Sequence, residues 1–304
     1  MIGLEQYSPI SENDFPAAFQ AADGGAIRAR RNYLWASRTD LILILLGTVS
    51  TSWAIESTSG RAFLAIVGAI SLGLGLLATL FIKISDSEKT WFGYRAIAES
   101  LKTMTWRYIT KTTPYDNALS AKEVDDLFTT QFGQILQMPR NQQVTLAGDE
   151  GSGEQITKPM REVRDLDIKI RKALYVRDRI KDQQIWYTNN AKENAQKGSQ
   201  MLIAVILCQA VAMGAAILLV RWPDFNFNFA SILSAGAATL LAWLQLKRHQ
   251  ELAFAYGQAA HDLGLIVARE RHITNDEELS LFVSDAENAI SREHTMWLAR
   301  RDYI

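Results

Sequence analysis

Histidine, cysteine and paired carboxylates are the side chains able to do chemistry here, and their spacing does not favour it. The four histidines are His249, His261, His272 and His294, and no two lie four apart, as ligands on one helix face would. The single cysteine, Cys208, lies inside an apolar run and reads as a small apolar packer. Glu293 and His294 are adjacent, and consecutive helical residues point to different faces. No serine sits in a nucleophile elbow. Asp276-Glu277-Glu278 reads as a helix start, where carboxylates meet the positive end of the dipole. Gly148-Asp149-Glu150-Gly151-Ser152-Gly153-Glu154 is glycine-rich, but it lacks the Gly-Lys-Ser/Thr ending of a phosphate loop and is acidic. The expectation is a protein that is no enzyme, with no catalytic residue, no cofactor and no metal.

The elements around these residues are more informative. The chain has 304 residues and a net charge of −1, so no basic field points to nucleic acid. One cysteine excludes an internal disulfide framework. The apolar residues gather in four blocks, and all six prolines lie outside them, as expected for uninterrupted helices. The opening residues are polar, with Pro9, Pro16 and Gly24-Gly25, and do not read as a cleavable signal peptide.

About 20 mostly apolar residues cross a bilayer as a helix. Residues 201–220 meet that length, with Gln209 as their strongly polar residue. Residues 228–246 follow, after a turn rich in aromatic residues (Trp222, Phe225, Phe227) that suits headgroup depth. An earlier pair, 41–56 and 62–84, is joined by a short turn, so its helices are antiparallel neighbours. Cations cluster on the outer flanks of both hairpins: Arg28, Arg30, Arg31 and Arg38; Lys83, Lys89, Arg95 and Lys102; Arg177, Arg179, Lys181, Lys192 and Lys197; Lys247 and Arg248. The turns carry only Arg61 and Arg221. The positive-inside rule then puts both termini in the cytoplasm of a cell with the hairpins in its inner membrane.

The expected division is a lead-in at 1–25, a first two-span unit at 26–138, a flexible linker at 139–159 and a second two-span unit at 160–304. After the first hairpin, Tyr94, Ala98 and Leu101 share a helix face, and Ser120 with Glu123 forms a capping box before Phe128. After the second, Tyr256, Ala260 and Leu263 repeat the first set in register. Thr274 with Glu277 then reads as a second box before Phe282, in a helix that runs on to Trp297. Such in-register matches predict an internal duplication. Residues 160–200 read as one long helix with a solvated charged face, running into the third span.

Small residues four apart allow helix backbones to approach in lipid. Ala65/Ala69, Ser71/Gly75, Ala210/Gly214, Ser231/Ala235 and Ser234/Ala238 have this spacing, and Gly68, Gly73 and Gly236 add to it. They serve either oligomerisation or packing within a monomeric four-helix unit. Gln209 and Gln245 are the candidate pore-lining groups. No span carries a charge at its middle, which argues against a charge-coupled transporter.

The hairpins, the segment Tyr256-Gly257-Gln258-Ala259-Ala260 and the closing run Ala289-Ile290-Ser291-Arg292-Glu293-His294-Thr295-Met296-Trp297-Leu298 together resemble the SLATT family. These are two-transmembrane effector domains associated with SMODS nucleotidyltransferases and SLOG sensors, also labelled DUF4231-like. The first half resembles a second, more divergent unit. The resemblance implies an all-α membrane protein with two tandem hairpins and cytoplasmic helical bundles. It also implies a pore-forming or membrane-disrupting effector of antiviral defence in a prokaryotic nucleotide-signalled conflict system. The expected partners are the lipid bilayer, further copies of the chain, and a separate nucleotide-signal synthase or sensor protein. Two other readings stand beside it: a non-conducting scaffold that recruits a cytoplasmic partner, and a soluble helical protein with the apolar blocks as core.

Overall fold

A computed structural model describes residues 4–57, 59–137, 153–222 and 229–301, with the backbone alone described for Leu4, Glu56 and residues 292–301. Among the described residues every regular element is helical. In chain order these are α1 (Ala17–Glu56), α2 (Arg61–Ile84), α3 (Ser87–Thr110), α4 (Ala121–Gln137), α5 (Lys158–Arg164) and α6 (Ile168–Tyr175). A π-helical turn, Val176–Lys181, leads into α7 (Asp182–Arg221), followed by α8 (Phe229–Lys247), α9 (His249–Val267) and α10 (Asp276–Arg301).

Among the described residues, four helices are long and apolar enough to cross a membrane. Their surfaces carry large exposed apolar side chains, among them Ile66, Ile70, Leu77, Ile206, Leu207 and Ile217. Helices satisfy their backbone polar groups internally, so these surfaces suit lipid. The protein is an all-α, multi-pass membrane protein.

Two compact units arise from this chain. One gathers Met1–Ala29, Glu88–Ala191 and Phe254–Ile304, and the other gathers Arg30–Ser87 and Lys192–Ala253. Each therefore draws on both halves of the sequence. The first unit has one apolar core, in which Phe15, Phe19, Ile97, Leu101, Trp106, Phe128, Tyr175, Leu263 and Val283 are all buried. The second unit holds the apolar spans.

The duplication is visible in the backbone. Asp86 and Arg248 both adopt left-handed φ angles, 44° and 48°, each just before the helix that follows a hairpin. The spacing between them also relates Ser87 to His249, the first residues of α3 and α9, and Leu101 to Leu263, both fully buried.

Three local expectations are corrected. The opening segment is not a loose lead-in: α1 starts at Ala17, and Phe15, Phe19 and Ala22 enter the core. Residues 160–200 are not one helix. Asp165 closes α5, Asp167 caps α6 through its side chain on Lys169 N, and the π turn follows. The second helix start lies one residue later than expected: Asn275 Oδ1 accepts from Glu278 N at 2.9 Å, and Glu278 Oε2 accepts from Thr274 N at 2.7 Å. Ser120 and Glu123 do form the reciprocal box, with Ser120 N donating to Glu123 Oε2 at 2.8 Å. The corrected register pairs Ser120 with Asn275 and Glu123 with Glu278. It also pairs Val124 with Leu279 and Phe128 with Val283, all four of them buried. Most of the expected linker, residues 139–152, lies outside the described residues.

Candidate functional site

In the first hairpin the contact between α1 and α2 is built on glycine. A Cβ at Gly68 would stand 2.5 Å from Thr51 Cγ2 and 3.3 Å from Gly47 O. One at Gly47 would stand 2.6 Å from Leu72 Cγ. Helical glycine costs about 1 kcal/mol relative to alanine, so close backbone approach is the compensating gain. Gly68, Ser71 and Gly75 are the buried residues of α2, one stripe at helical spacing. A Cβ at Gly75 would stand at ordinary contact distances from Ile44 and Leu43, 3.5 and 3.6 Å. Toward the polar end of the seam, Thr79 Oγ1 donates to Asp40 Oδ1 at 3.0 Å.

The other small residues point elsewhere. A Cβ at Gly73, Gly214 or Gly236 would have nothing within 4 Å. Ser231, Ser234, Gln209 and Gln245 are exposed. The sequence-selected residues thus divide: Gly68, Ser71 and Gly75 belong to the seam within a hairpin, and Gly73, Gly214, Gly236, Ser231, Ser234, Gln209 and Gln245 lie outside it. Gly47 and Asp40 join the seam without having been singled out. The cue for Gly47 was its place in an otherwise bulky run, Leu43–Leu46.

The other unit contains a buried polar centre. Arg179 Nε donates to Glu287 Oε1 at 2.9 Å and Nη2 to Oε2 at 2.8 Å. Tyr175 Oη donates to Oε1 at 3.0 Å and Thr103 Oγ1 to Oε2 at 2.7 Å. The carboxylate therefore accepts four hydrogen bonds, which fills its lone-pair sites. Burial alone would lower the Arg179 guanidinium, but the adjoining Glu287 outweighs it and holds the group above its usual range. Burial, reinforced by Glu287, pushes the Tyr175 phenol well up, so it remains a donor.

Arg164 and Arg171 are buried as well, which corrects the solvated reading of this charged stretch. Arg171 donates to Leu166 O at 3.0 Å, to Thr110 O at 2.6 Å and to Asp276 Oδ1 at 2.6 Å. The Arg164 guanidinium lies 4.9 Å from the Tyr108 ring centroid and donates to Tyr108 O. Arg179 lies within the π turn, whose wider winding absorbs an extra residue and keeps this third arginine facing the core.

A cavity of about 290 Å³ lies beside this centre, lined by Pro9, Glu12, Lys102, Trp106, Arg177 and Asp182 among others. Ile10 N donates to Asp178 Oδ2 at 3.0 Å, and Lys102 pairs with Glu12. The charged side chains of the lining are Glu12, Asp178 and Asp182 against Lys102, Arg177 and Arg179, so its charge balances. The cavity offers no net field to a polyanion.

The bundle residues selected from sequence fall in this same unit. Leu101, Leu263, Phe128 and Phe282 are buried, and Tyr94 lies against Gly25, where a Cβ would stand 2.5 Å from the ring. Tyr256 packs with Trp186 and Tyr187 at centroid distances of 5.2 and 5.7 Å. Trp297 lies outside the described side chains. Sequence reasoning missed Arg179, Tyr175 and Glu287. A cue existed for Glu287, which stands four residues after Val283 and three before Ile290, on the apolar face of its own helix.

Comparison with curated proteins returned no match, and neither did comparison with solved structures. Family comparison did. The family described as SMODS and SLOG-associating 2TM effector domain 3 matches residues 16–172, and SMODS and SLOG-associating 2TM effector domain 1 matches residues 175–297. The two matched segments each contain one hairpin and the helices that follow it. The chain belongs to the SLATT family of membrane effectors, with two such domains in tandem.

Proposed function

We propose that the protein is a pore-forming or membrane-disrupting effector that acts by oligomerising its spans, in a prokaryotic nucleotide-signalled defence system. It acts without catalysis, from the inner membrane, with both termini in the cytoplasm as the Lys/Arg distribution suggests. The observation that carries this reading is the outer surface of the spans. Gly73, Gly214 and Gly236 leave room for a close neighbour, and Gln209 places an amide on a surface otherwise suited to lipid. Polar groups within spans usually face protein or water, and a second copy would supply either.

The charge-balanced cavity favours reception of the signal through a separate sensor or synthase partner over direct binding of a polyanionic nucleotide by this chain. The test is membrane potential, followed with a voltage-sensitive dye, in bacteria expressing wild type or Gly236→Leu together with a SMODS nucleotidyltransferase. Depolarisation by wild type and none by the variant, at equal membrane abundance, is the expected result. Equal depolarisation by both would remove the Gly236 surface from the mechanism. None by wild type at high abundance would favour a non-conducting scaffold.

A further inference from the structure

Arg38 and Lys247 share one aromatic ring. The Arg38 guanidinium carbon lies 5.2 Å from the Trp243 centroid, and Lys247 Nζ lies 5.4 Å from it. Arg38 also lies 5.7 Å from the Trp35 centroid. The charges acting on Lys247 are those of Arg30, Arg38 and Lys197, all cationic. Lys197 has its own carboxylate, Glu193. Among the described residues, Arg38 and Lys247 have no ion-pair partner.

The cluster also has a defined depth. Arg38 stands three residues before Leu41, where the first apolar block begins, and Lys247 directly follows Leu246, where the fourth ends. Tryptophan with lysine or arginine at such a boundary matches headgroup level. One helical turn beyond Arg38, Ile42 is 48% exposed, and nearly two turns before Lys247, Leu241 is 37% exposed on α8. Each offers apolar surface to an acyl chain. Like charges drawn together without a carboxylate call for an anion, and at this depth the abundant anion is a phosphodiester.

We propose that Arg38, Lys247 and the Trp243 ring they share form a binding site for the phosphodiester headgroup of an anionic phospholipid. The guanidinium grips two phosphate oxygens side by side, the ammonium adds a point charge, and the indole fixes both cations at the bilayer boundary. This site requires only that the spans lie in a membrane, so it stands or falls separately from pore formation.

The test is native mass spectrometry of the full chain released from micelles holding equal phosphatidylglycerol and phosphatidylcholine of matched acyl chains. A cation near a membrane surface contributes about fivefold in affinity for anionic lipid. Wild type should therefore retain phosphatidylglycerol preferentially, and Arg38→Gln should cut that preference about fivefold. Arg38 is exposed, so this variant should keep its fold, as helicity by circular dichroism would verify. Arg38→Gln with Lys247→Gln should bring the two lipids close to parity, and Arg38→Lys with Lys247→Arg should restore selectivity. Glycerol 3-phosphate at millimolar concentration should leave the retained lipid in place. Equal retention of both lipids by wild type would overturn the proposal, as would undiminished selectivity in the double glutamine variant. Displacement by glycerol 3-phosphate would do so too, by reassigning the site to a soluble phosphate.

Discussion

Arg179 and Glu287 lie face to face through two parallel hydrogen bonds, with 2% and 0% of their side chains exposed. One stands on the π turn and the other on α10, so the pair fastens distant stretches of sequence across the core. A buried ion pair often contributes little net stability, because desolvation offsets the attraction. Removing one partner is a different matter, since the remaining charge stays buried. Glu287→Ala should destabilise the protein by about 3–5 kcal/mol. Arg179→Met with Glu287→Leu should recover much of that loss. Recovery should be incomplete, because Tyr175 and Thr103 would then lack their acceptor. Denaturant unfolding followed by circular dichroism measures both. A loss below about 1 kcal/mol for Glu287→Ala would mean that water reaches the site.

Gly68 and Gly73 lie five apart on the same helix and respond to opposite demands. A methyl at Gly68 meets Thr51 and the backbone at Gly47, whereas one at Gly73 meets nothing. Overpacking costs about 1–3 kcal/mol, and replacing helical glycine by alanine gains about 0.5–1 kcal/mol where space allows. Gly68→Ala should therefore lower the melting temperature of the monomer in mild detergent, and Gly73→Ala should hold or raise it. Equal effects at both positions would dissolve the distinction between inner seam and outer surface.

What could be read from sequence follows from where the information lies. A membrane span is a local property, so the four apolar blocks and the short turn near Gly60 were legible. So was the Ser120–Glu123 box, whose partners sit three residues apart. The second box was displaced by one because Thr274 and Asn275 are both good capping residues, and only backbone geometry selects Asn275. The interleaving of both halves into each compact unit is non-local and leaves no short pattern. The π turn is equally silent: Val176–Lys181 has ordinary helix formers, and its register shift is seen only when Arg171 and Arg179 both prove buried. Small-residue spacing picked out Gly68 and Gly75, which meet α1, but it passed over Gly47 and could not say which positions another helix already occupied.

Asp86 and Arg248 hold equivalent left-handed positions with unequal suitability for them. Left-handed backbone costs an ordinary L-residue about 1–2 kcal/mol, and aspartate and asparagine tolerate it best. Asp86, at φ 44°, is thus well chosen, whereas Arg248, at φ 48°, is strained. Arg248→Gly should consequently stabilise the protein by up to about 1 kcal/mol, tempered by glycine's greater freedom in the unfolded chain. Asp86→Gly should gain less. A β-branched residue such as valine should destabilise at either site, because it fits left-handed backbone worst. Thermal unfolding of the four variants gives the ranking. If Arg248→Gly falls below wild type, the arginine side chain compensates its backbone through contacts at the hairpin's charged end. Among the described residues its ion-pair distance there is 3.9 Å, to the exposed Glu251, which is too loose to do so.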